Sequence, residues 1–148
     1  MAWALRGFTV MPNPSPRTVL IVDSDARRRS QLCDALSFMC WIPIYADTPS
    51  EVVRVFDGAL GADVVAVIVA DKIEGFDAAS MLRFIARDRP AVGLVLLAPG
   101  HGAGPPVAHI DATLSFPFTL VDVVTALRPA LARNAAASSP WNQSGSVA

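Results

Sequence analysis

The sequence contains little cysteine, since only Cys33 and Cys40 carry thiols among 148 residues. They lie seven positions apart in one predicted helix, where their separation along the axis is about 10 Å. A disulfide joins Cα atoms no more than about 7 Å apart, so a bridge within that helix is excluded. We therefore expect two free thiols rather than the disulfide framework of a small secreted domain.

Charge is also scarce, and long apolar runs are missing. Lys and Arg total 12 and Asp and Glu total 13, so charged residues are 17% of the chain and the net charge is −1. This balance does not favour binding to nucleic acid or to an anionic membrane surface. No apolar run approaches the ~20 residues of a membrane-spanning helix. We therefore expect a cytoplasmic protein that binds neither nucleic acid nor a membrane.

The most informative stretch that is present is a short aliphatic run followed by acids. Val19 to Val22 are four consecutive aliphatic residues, which predict a strand buried on both faces of a parallel sheet. Function in such sheets lies just beyond the carboxyl ends of the strands. A nucleotide-binding turn would place glycines there. Asp23 and Asp25 stand there instead, and their carboxylates repel phosphate and attract a cation.

Strand-type and helix-type segments alternate after this run. Further strands are predicted over residues 41–46, 63–70, 94–98 and 112–115, and helices over 26–39, from 49 to about 58, over 77–87 and from 120 onward. This alternation predicts an α/β fold with a doubly wound parallel sheet. Pro43 predicts an edge position for the second strand, because proline cannot donate to a ladder. Pro129 predicts an end or a kink in the last helix.

Three stretches fall outside the alternation. Residues 1–17 end in closely spaced prolines and are predicted to form a flexible arm, and residues 134–148 are rich in Ala, Ser and Gly and are predicted to be a disordered tail. Residues 99–106 are mostly Gly and Pro and cannot hold a regular helix. We predict one domain over residues 18–133, with the fourth helix shortened or missing.

The order of these features resembles the receiver domain of bacterial response regulators. The resemblance rests on Val-Leu-Ile-Val-Asp at the first strand, on Asp71 after the third strand and on Phe116-Pro117-Phe118 before the last helix. It implies a flavodoxin-like five-stranded sheet in the order 2-1-3-4-5. It also implies that Asp71 accepts phosphate from a histidine kinase, while Mg²⁺, held by Asp71 and by Asp23 in an acidic pair, neutralises the transferred oxygens.

Several switch positions depart from the pattern that the resemblance implies. An acid, a hydroxyl, an aromatic and a lysine are replaced, and the replacements are Ser24, Ala98, Thr113 and Phe116 in that order. Pro117 is a candidate for a cis peptide bond. Asp71 takes the acceptor position only if the following loop is one residue short, since Ala70 otherwise takes it and no phosphorylation site exists. With these replacements, we expect Mg²⁺ binding to be weak at best. No other cofactor is implied.

Other charged residues have simpler interpretations. Asp25 is favoured as the N-cap of the first helix over a role as a ligand. Arg27 to Arg29 are favoured as a solvated helix face over a basic patch. Three interpretations of Asp23 and Asp71 remain. They are acids that merely end strands, a working phosphate or Mg²⁺ site, or a relic site with residual cation affinity.

Two functions remain in competition at this stage. The first is a stand-alone pseudo-receiver of a two-component or phosphorelay pathway that docks a histidine kinase, a phosphotransferase or another regulator without being phosphorylated. The second is a working Mg²⁺-dependent phosphoacceptor modified on Asp71. An enzyme acting on a small molecule is not favoured, because no nucleophile–base pair or metal cluster is visible. Docking or homodimerisation is predicted through the fourth strand, the Gly/Pro stretch and the last helix.

Overall fold

Five parallel strands alternate with four helices in the computed structural model, which describes residues 17–73, 75–100 and 110–137. The strands of the sheet are β1 (Thr18–Val22), β2 (Ile42–Ala46), β3 (Val64–Ala70), β4 (Gly93–Pro99) and β5 (Ala112–Phe116). The helices are α1 (Ala26–Phe38), α2 (Pro49–Asp57), α3 (Ala78–Asp88) and α4 (Leu120–Ala137). A 3₁₀ turn, Gly61–Asp63, precedes β3.

The strand order is β2-β1-β3-β4-β5, and each neighbouring pair is parallel. The predicted order 2-1-3-4-5 is therefore confirmed. β1 and β3 are buried along almost their whole length because helices cover both faces of the sheet. β2 lies at an edge, as Pro43 predicts, and is the more exposed strand.

Side-chain caps fix where the helices begin. The Asp25 carboxylate accepts a hydrogen bond from the Arg28 amide at 3.0 Å and opens α1, which confirms its predicted capping role. The Thr48 hydroxyl accepts from the Glu51 amide at the start of α2. Thr119 and Asp122 cap α4 reciprocally. These caps set the direction in which each helix leaves the sheet.

Pro129 was expected to end or kink the last helix, and the expectation that it ends the helix is wrong, because α4 continues through Pro129 to Ala137. Tertiary contacts beyond the proline explain this. Ala130 is buried against Gly93 so closely that a Cβ on Gly93 would lie 2.4 Å from the Ala130 Cβ. The Asn134 side-chain amide donates to the Ala91 carbonyl at 3.0 Å. These contacts hold the part of the helix that proline would otherwise weaken.

Residues 134–137 are helical, so the prediction of a disordered tail from residue 134 is wrong for these four residues. The rest of that tail, residues 138–148, lies outside the described residues, and so do residues 1–16 of the predicted N-terminal arm. Most of the stretch for which a shortened or missing fourth helix was predicted also lies outside them, within residues 101–109. Arg17 precedes β1, and its carbonyl accepts a hydrogen bond from the Ile42 amide at 2.7 Å. Arg17 therefore extends the pairing of β1 with β2.

Two smaller features complete the fold. After β3 the chain forms a short antiparallel pair, Lys72–Ile73 with Phe76–Asp77, where a loop was predicted. Cys33 and Cys40 are free thiols, as expected, and partial burial raises the pKa of Cys33. Within the described ranges, no helix has both the length and the apolar character needed to cross a bilayer.

Candidate functional site

The candidate site lies at the carboxyl ends of β1 and β3, where Asp23 and Asp71 follow the last strand residues. β1 and β3 pair up to Val22 opposite Val69, so Asp71 stands one residue further along its strand than Asp23. The Asp71 amide donates to the Leu97 carbonyl at 2.8 Å, which holds Asp71 at the edge of β4. Ala70 is completely buried and Asp71 is half-buried, so Asp71 is the acid that this strand end presents.

Asp23 is completely buried, and its carboxylate accepts three hydrogen bonds from its own chain. The Asp25 amide donates to Oδ1 at 2.9 Å. Arg28 donates from Nη2 to Oδ1 at 2.9 Å and from Nε to Oδ2 at 2.8 Å. A bidentate guanidinium–carboxylate contact of this kind is among the strong hydrogen bonds of proteins. A buried carboxylate without such partners would be costly.

Arg28 belongs to the first turn of α1, and its guanidinium turns back to the Asp23 carboxylate. Its side chain is 23% exposed and lies 3.7 Å from the Asp25 carboxylate as well. The hydrogen bond to Asp23 raises the pKa of Arg28, and the negative charges of Asp23, Asp25 and Asp71 raise that pKa further. Arg28 therefore brings a positive charge that interacts with the acids at the ends of both β1 and β3.

Phe116 supplies the apolar wall on which this cation rests. The Arg28 Cζ lies 4.8 Å from the centre of the Phe116 ring, within the range of a cation–π interaction. Phe116 ends β5 and is half-buried, and the Phe116–Pro117 peptide bond is cis, in the position that the sequence suggested. The position where the resemblance implies a lysine thus carries a ring that contacts an arginine from another element.

Arg29 ties the same corner to the edge of the sheet. Its Nη1 donates to the Asp23 carbonyl at 3.2 Å and lies 3.6 Å from the Asp47 carboxylate. Its guanidinium also lies 4.9 Å from the centre of the Tyr45 ring. The interpretation of Arg27 to Arg29 as a solvated face is therefore wrong for Arg28 and Arg29, which are 23% and 20% exposed, and holds for the exposed Arg27.

The residues that the resemblance implies for Mg²⁺ do not fit that ion in this arrangement. Both oxygens of Asp23 already accept hydrogen bonds from Arg28, and a divalent cation would have to displace that guanidinium. Ser24, at the second acidic position, is exposed and carries no charge. In the part of the chain that the structure describes, no group of three or more His, Cys, Asp or Glu side chains is arranged to hold a metal.

The two remaining predicted switch positions lie on β4 and β5. Ala98 is 6% exposed near the end of β4 and offers no hydroxyl. Thr113 is exposed on β5 opposite Leu96. Asp77, next to the predicted loop deletion, caps α3, and the hydrogen bond from the Ser80 hydroxyl lowers its pKa.

Arg28 is the residue that the sequence interpretation missed. A signal was present, because the lysine expected at position 116 is absent while an arginine lies five residues after Asp23, within reach of a strand end followed by one helical turn. The choice between three adjacent arginines needed the path of the turn at Ser24 and Asp25. Sequence periodicity alone does not provide that path.

Comparisons with known proteins bear on the fold. No protein-family model matches the sequence, and no curated protein gives a significant match. The structure is similar to the signal receiver domain of an HD domain-containing protein from Pseudomonas fluorescens Pf-5, with a TM-score of 0.72 and 21% identity over 82% of this chain and 99% of that one.

Two further solved structures give the same picture. A response regulator receiver domain protein from Clostridium thermocellum matches with a TM-score of 0.71 and 18% identity, over 81% of this chain and 98% of that one. The response regulator protein TrrA from Thermotoga maritima, in complex with Mg²⁺ and BeF, matches with a TM-score of 0.65 and 16% identity, over 76% and 96%. With β2-β1-β3-β4-β5 order and acids at the ends of β1 and β3, this chain has the fold of the response regulator receiver domains.

Proposed function

We propose that this protein is a receiver-like signalling domain of a two-component or phosphorelay pathway that acts by docking, without a phosphorylation switch. The observation that carries the proposal is the buried Asp23 carboxylate, whose two oxygens are occupied by Arg28. The receiver fold supports the signalling role.

The second support is that two of the positions expected to sense a phosphoryl group on Asp71 carry residues that do not bind it. Ala98 has no hydroxyl to bond it, and Phe116 has no charge to pair with it. Charge-assisted hydrogen bonds contribute about 1.5–3 kcal/mol each. Without contacts that differ between the two states, modification cannot shift a conformational equilibrium. On this proposal, the signal depends on whether a partner protein is bound to the domain.

The partner on this proposal is another signalling protein of the cytoplasm, such as a histidine kinase, a phosphotransferase or a second regulator. The surface offered includes the start of α4, where Leu120 and Val121 are 36% and 71% exposed. Scattered apolar exposure is ordinary for a protein surface, so binding through this face needs its own test. Homodimerisation through the same face remains a prediction, and light scattering at high concentration would measure it.

Acetyl phosphate labelling tests the proposal directly. The protein is incubated with acetyl phosphate and Mg²⁺, its intact mass is measured, and the Asp71→Asn variant serves as the matched control. We expect no added phosphoryl mass in either. TrrA, whose structure contains Mg²⁺ and BeF, serves as the comparison protein under identical conditions. Stoichiometric labelling that depends on Asp71 would overturn the proposal.

A working phosphoacceptor is the second candidate, and the half-buried Asp71 at the end of β3 favours it. On this alternative, beryllofluoride with Mg²⁺ would bind at Asp71 and shift amide resonances at the ends of β1 and β3. The amide NMR spectrum of the wild-type protein measures this. An unchanged spectrum would remove the second candidate.

A further inference from the structure

The strongest unexplained feature of the molecule is a cation placed by the chain between carboxylates. We infer that Arg28 is a built-in substitute for a divalent metal, and that it keeps the Asp23–Asp71 corner in one charge arrangement that Mg²⁺ does not alter. This inference deepens the proposed function and rests on it for the signalling role. It assigns Arg28 a positioning role rather than a part in any chemical step.

The donor count at Asp23 supports this assignment. Three N–H groups from Asp25 and Arg28 reach the two carboxylate oxygens at 2.8–2.9 Å. Mg²⁺ needs to approach carboxylate oxygen to about 2.0–2.1 Å, and the guanidinium already contacts both oxygens. A metal that entered beside Arg28 would also meet its positive charge. Guanidinium and metal are therefore mutually exclusive partners for Asp23.

The guanidinium has an advantage over any free ion because it is tethered. The Arg28 amide is itself bound to the Asp25 carboxylate at 3.0 Å, which fixes the first turn of α1 next to the pocket. The Phe116 ring supports the guanidinium at 4.8 Å. A preorganised intramolecular partner loses little further entropy when it binds. A free cation at millimolar concentration has to compete with this arrangement.

Removal of the tethered cation should therefore reveal carboxylate oxygen to a divalent ion. Asp23 would lose its bidentate partner, and Asp71 would lose the positive charge that now interacts with it. Oxygen ligands of this kind suit hard cations. The inference predicts that divalent binding is absent in the natural protein and is gained when Arg28 is replaced by a neutral residue.

Mn²⁺ titration followed by electron paramagnetic resonance tests this in the full chain, because bound Mn²⁺ loses the signal of the free ion. The variants are Arg28→Ala and Arg28→Gln, which retains more of the side-chain volume, and Arg27→Ala is the matched control from the exposed neighbouring position. We expect wild type and Arg27→Ala to leave Mn²⁺ free. The two Arg28 variants should bind Mn²⁺ at least about tenfold more tightly than the wild-type protein. Excess Mg²⁺ should displace the bound Mn²⁺.

Circular dichroism establishes which variants fold, and the addition of Asp23→Asn to a folded Arg28 variant should abolish the gained binding. Mn²⁺ binding by the wild-type protein as tight as that of an Arg28 variant would overturn the inference. Because the wild-type protein is expected to leave Mn²⁺ free, clear binding by it would overturn the inference even if no Arg28 variant folds. A folded Arg28→Gln protein without gained binding would overturn it as well.

The labelling experiment with acetyl phosphate separates this inference from the proposed function. An unlabelled wild-type protein whose Arg28 variants gain no Mn²⁺ would refute only the role of Arg28. A wild-type protein labelled at Asp71 would refute the proposed function, whatever the Mn²⁺ titrations show.

Discussion

Two aspartate–arginine pairs lie at opposite ends of the sheet and use the same chemistry differently. Asp23 and Arg28 meet at the carboxyl end of β1. Asp111 and Arg133 meet at the amino end of β5, with the Arg133 Nε 2.6 Å from the Asp111 Oδ1. Each aspartate also accepts a backbone hydrogen bond, from the Asp25 amide at 2.9 Å or the Leu94 amide at 2.8 Å.

The two pairs differ in depth and in reach. Asp23 and Arg28 are 0% and 23% exposed and lie five residues apart, whereas Asp111 and Arg133 are 9% and 44% exposed and connect β5 to the end of α4. The outer pair is a tether between elements. The inner pair is the more buried of the two and lies at the candidate site at the carboxyl ends of β1 and β3, so its burial bears on the chemistry of that site as well as on stability.

The largest effect is expected from replacement of the buried cation. Arg28→Met should lower the free energy of unfolding by about 2–4 kcal/mol, because it leaves the buried Asp23 carboxylate without its bidentate partner. Urea unfolding at neutral pH measures this. Arg27→Met, at the exposed neighbouring position, should cost under about 0.5 kcal/mol. Equal losses of unfolding free energy in the two variants would contradict the assignment of Arg28 as the partner of the buried Asp23 carboxylate.

A smaller effect is expected at the outer pair. Arg133→Met should cost about 1 kcal/mol, since Arg133 is 44% exposed and Asp111 keeps its hydrogen bond from the Leu94 amide. The loss should shrink at high salt, whereas the loss from Arg28→Met should change little. Urea unfolding at low and high salt checks both statements, and the reverse pattern of salt dependence would be evidence against the comparison.

The ring beside the inner cation should contribute less again. Phe116→Leu should cost about 0.5–1 kcal/mol through the lost cation–π contact. In a double-mutant cycle it should couple to Arg28→Met, since the Arg28 guanidinium lies 4.8 Å from the ring centre, and add independently to Arg133→Met at the opposite end of the sheet. Additivity with both arginines would show that Phe116 is mere filler.

The smallest effect is a pH dependence at the exposed N-cap of α3. The Ser80 hydroxyl and the Ala79 amide lower the pKa of Asp77 in the folded state. The cap therefore stabilises the protein above the pH range of unfolded aspartate, and this contribution is lost as the pH falls through the lowered pKa. Wild type should exceed Asp77→Ala in stability at neutral pH, and acidification below about pH 4 should close the difference.

Ser80→Ala provides the control for that measurement. It removes the first cause of the lowered pKa and leaves the backbone hydrogen bond from Ala79. Thermal unfolding across the acid range should show a pH-dependent loss of stability in Ser80→Ala that is smaller than in wild type and larger than in Asp77→Ala. A stability difference between wild type and Asp77→Ala that persisted at low pH would contradict the assignment of the cap to the charged carboxylate.

Much of the fold could be predicted from local sequence patterns. The apolar run at Val19 to Val22 and the longer run of β3 predict buried parallel strands, and Pro43 predicts the edge. Thr48 and Thr119 predict helix starts through their side chains. These features depend on residues close together in the chain, so periodicity and capping preferences were sufficient to find them.

Other features depended on contacts between distant segments. Pro129 reads locally as a helix breaker, yet Ala130 packs on Gly93 and Asn134 reaches Ala91, so α4 continues. Three adjacent arginines read locally as one solvated face. Only the relative positions of β1, α1 and β5 decide that Arg28 turns inward to Asp23 and Phe116.

The sequence by itself thus determined the alternation of strands and helices and the identity of the acids that end β1 and β3, while the strand order was implied by the resemblance to receiver domains. The tertiary structure alone decided that Asp23 is paired and that the pairing cation comes from α1. The physical reason is that hydrophobic periodicity is a property of neighbouring residues, whereas the energy of a buried charge depends on every group that the folded chain brings around it.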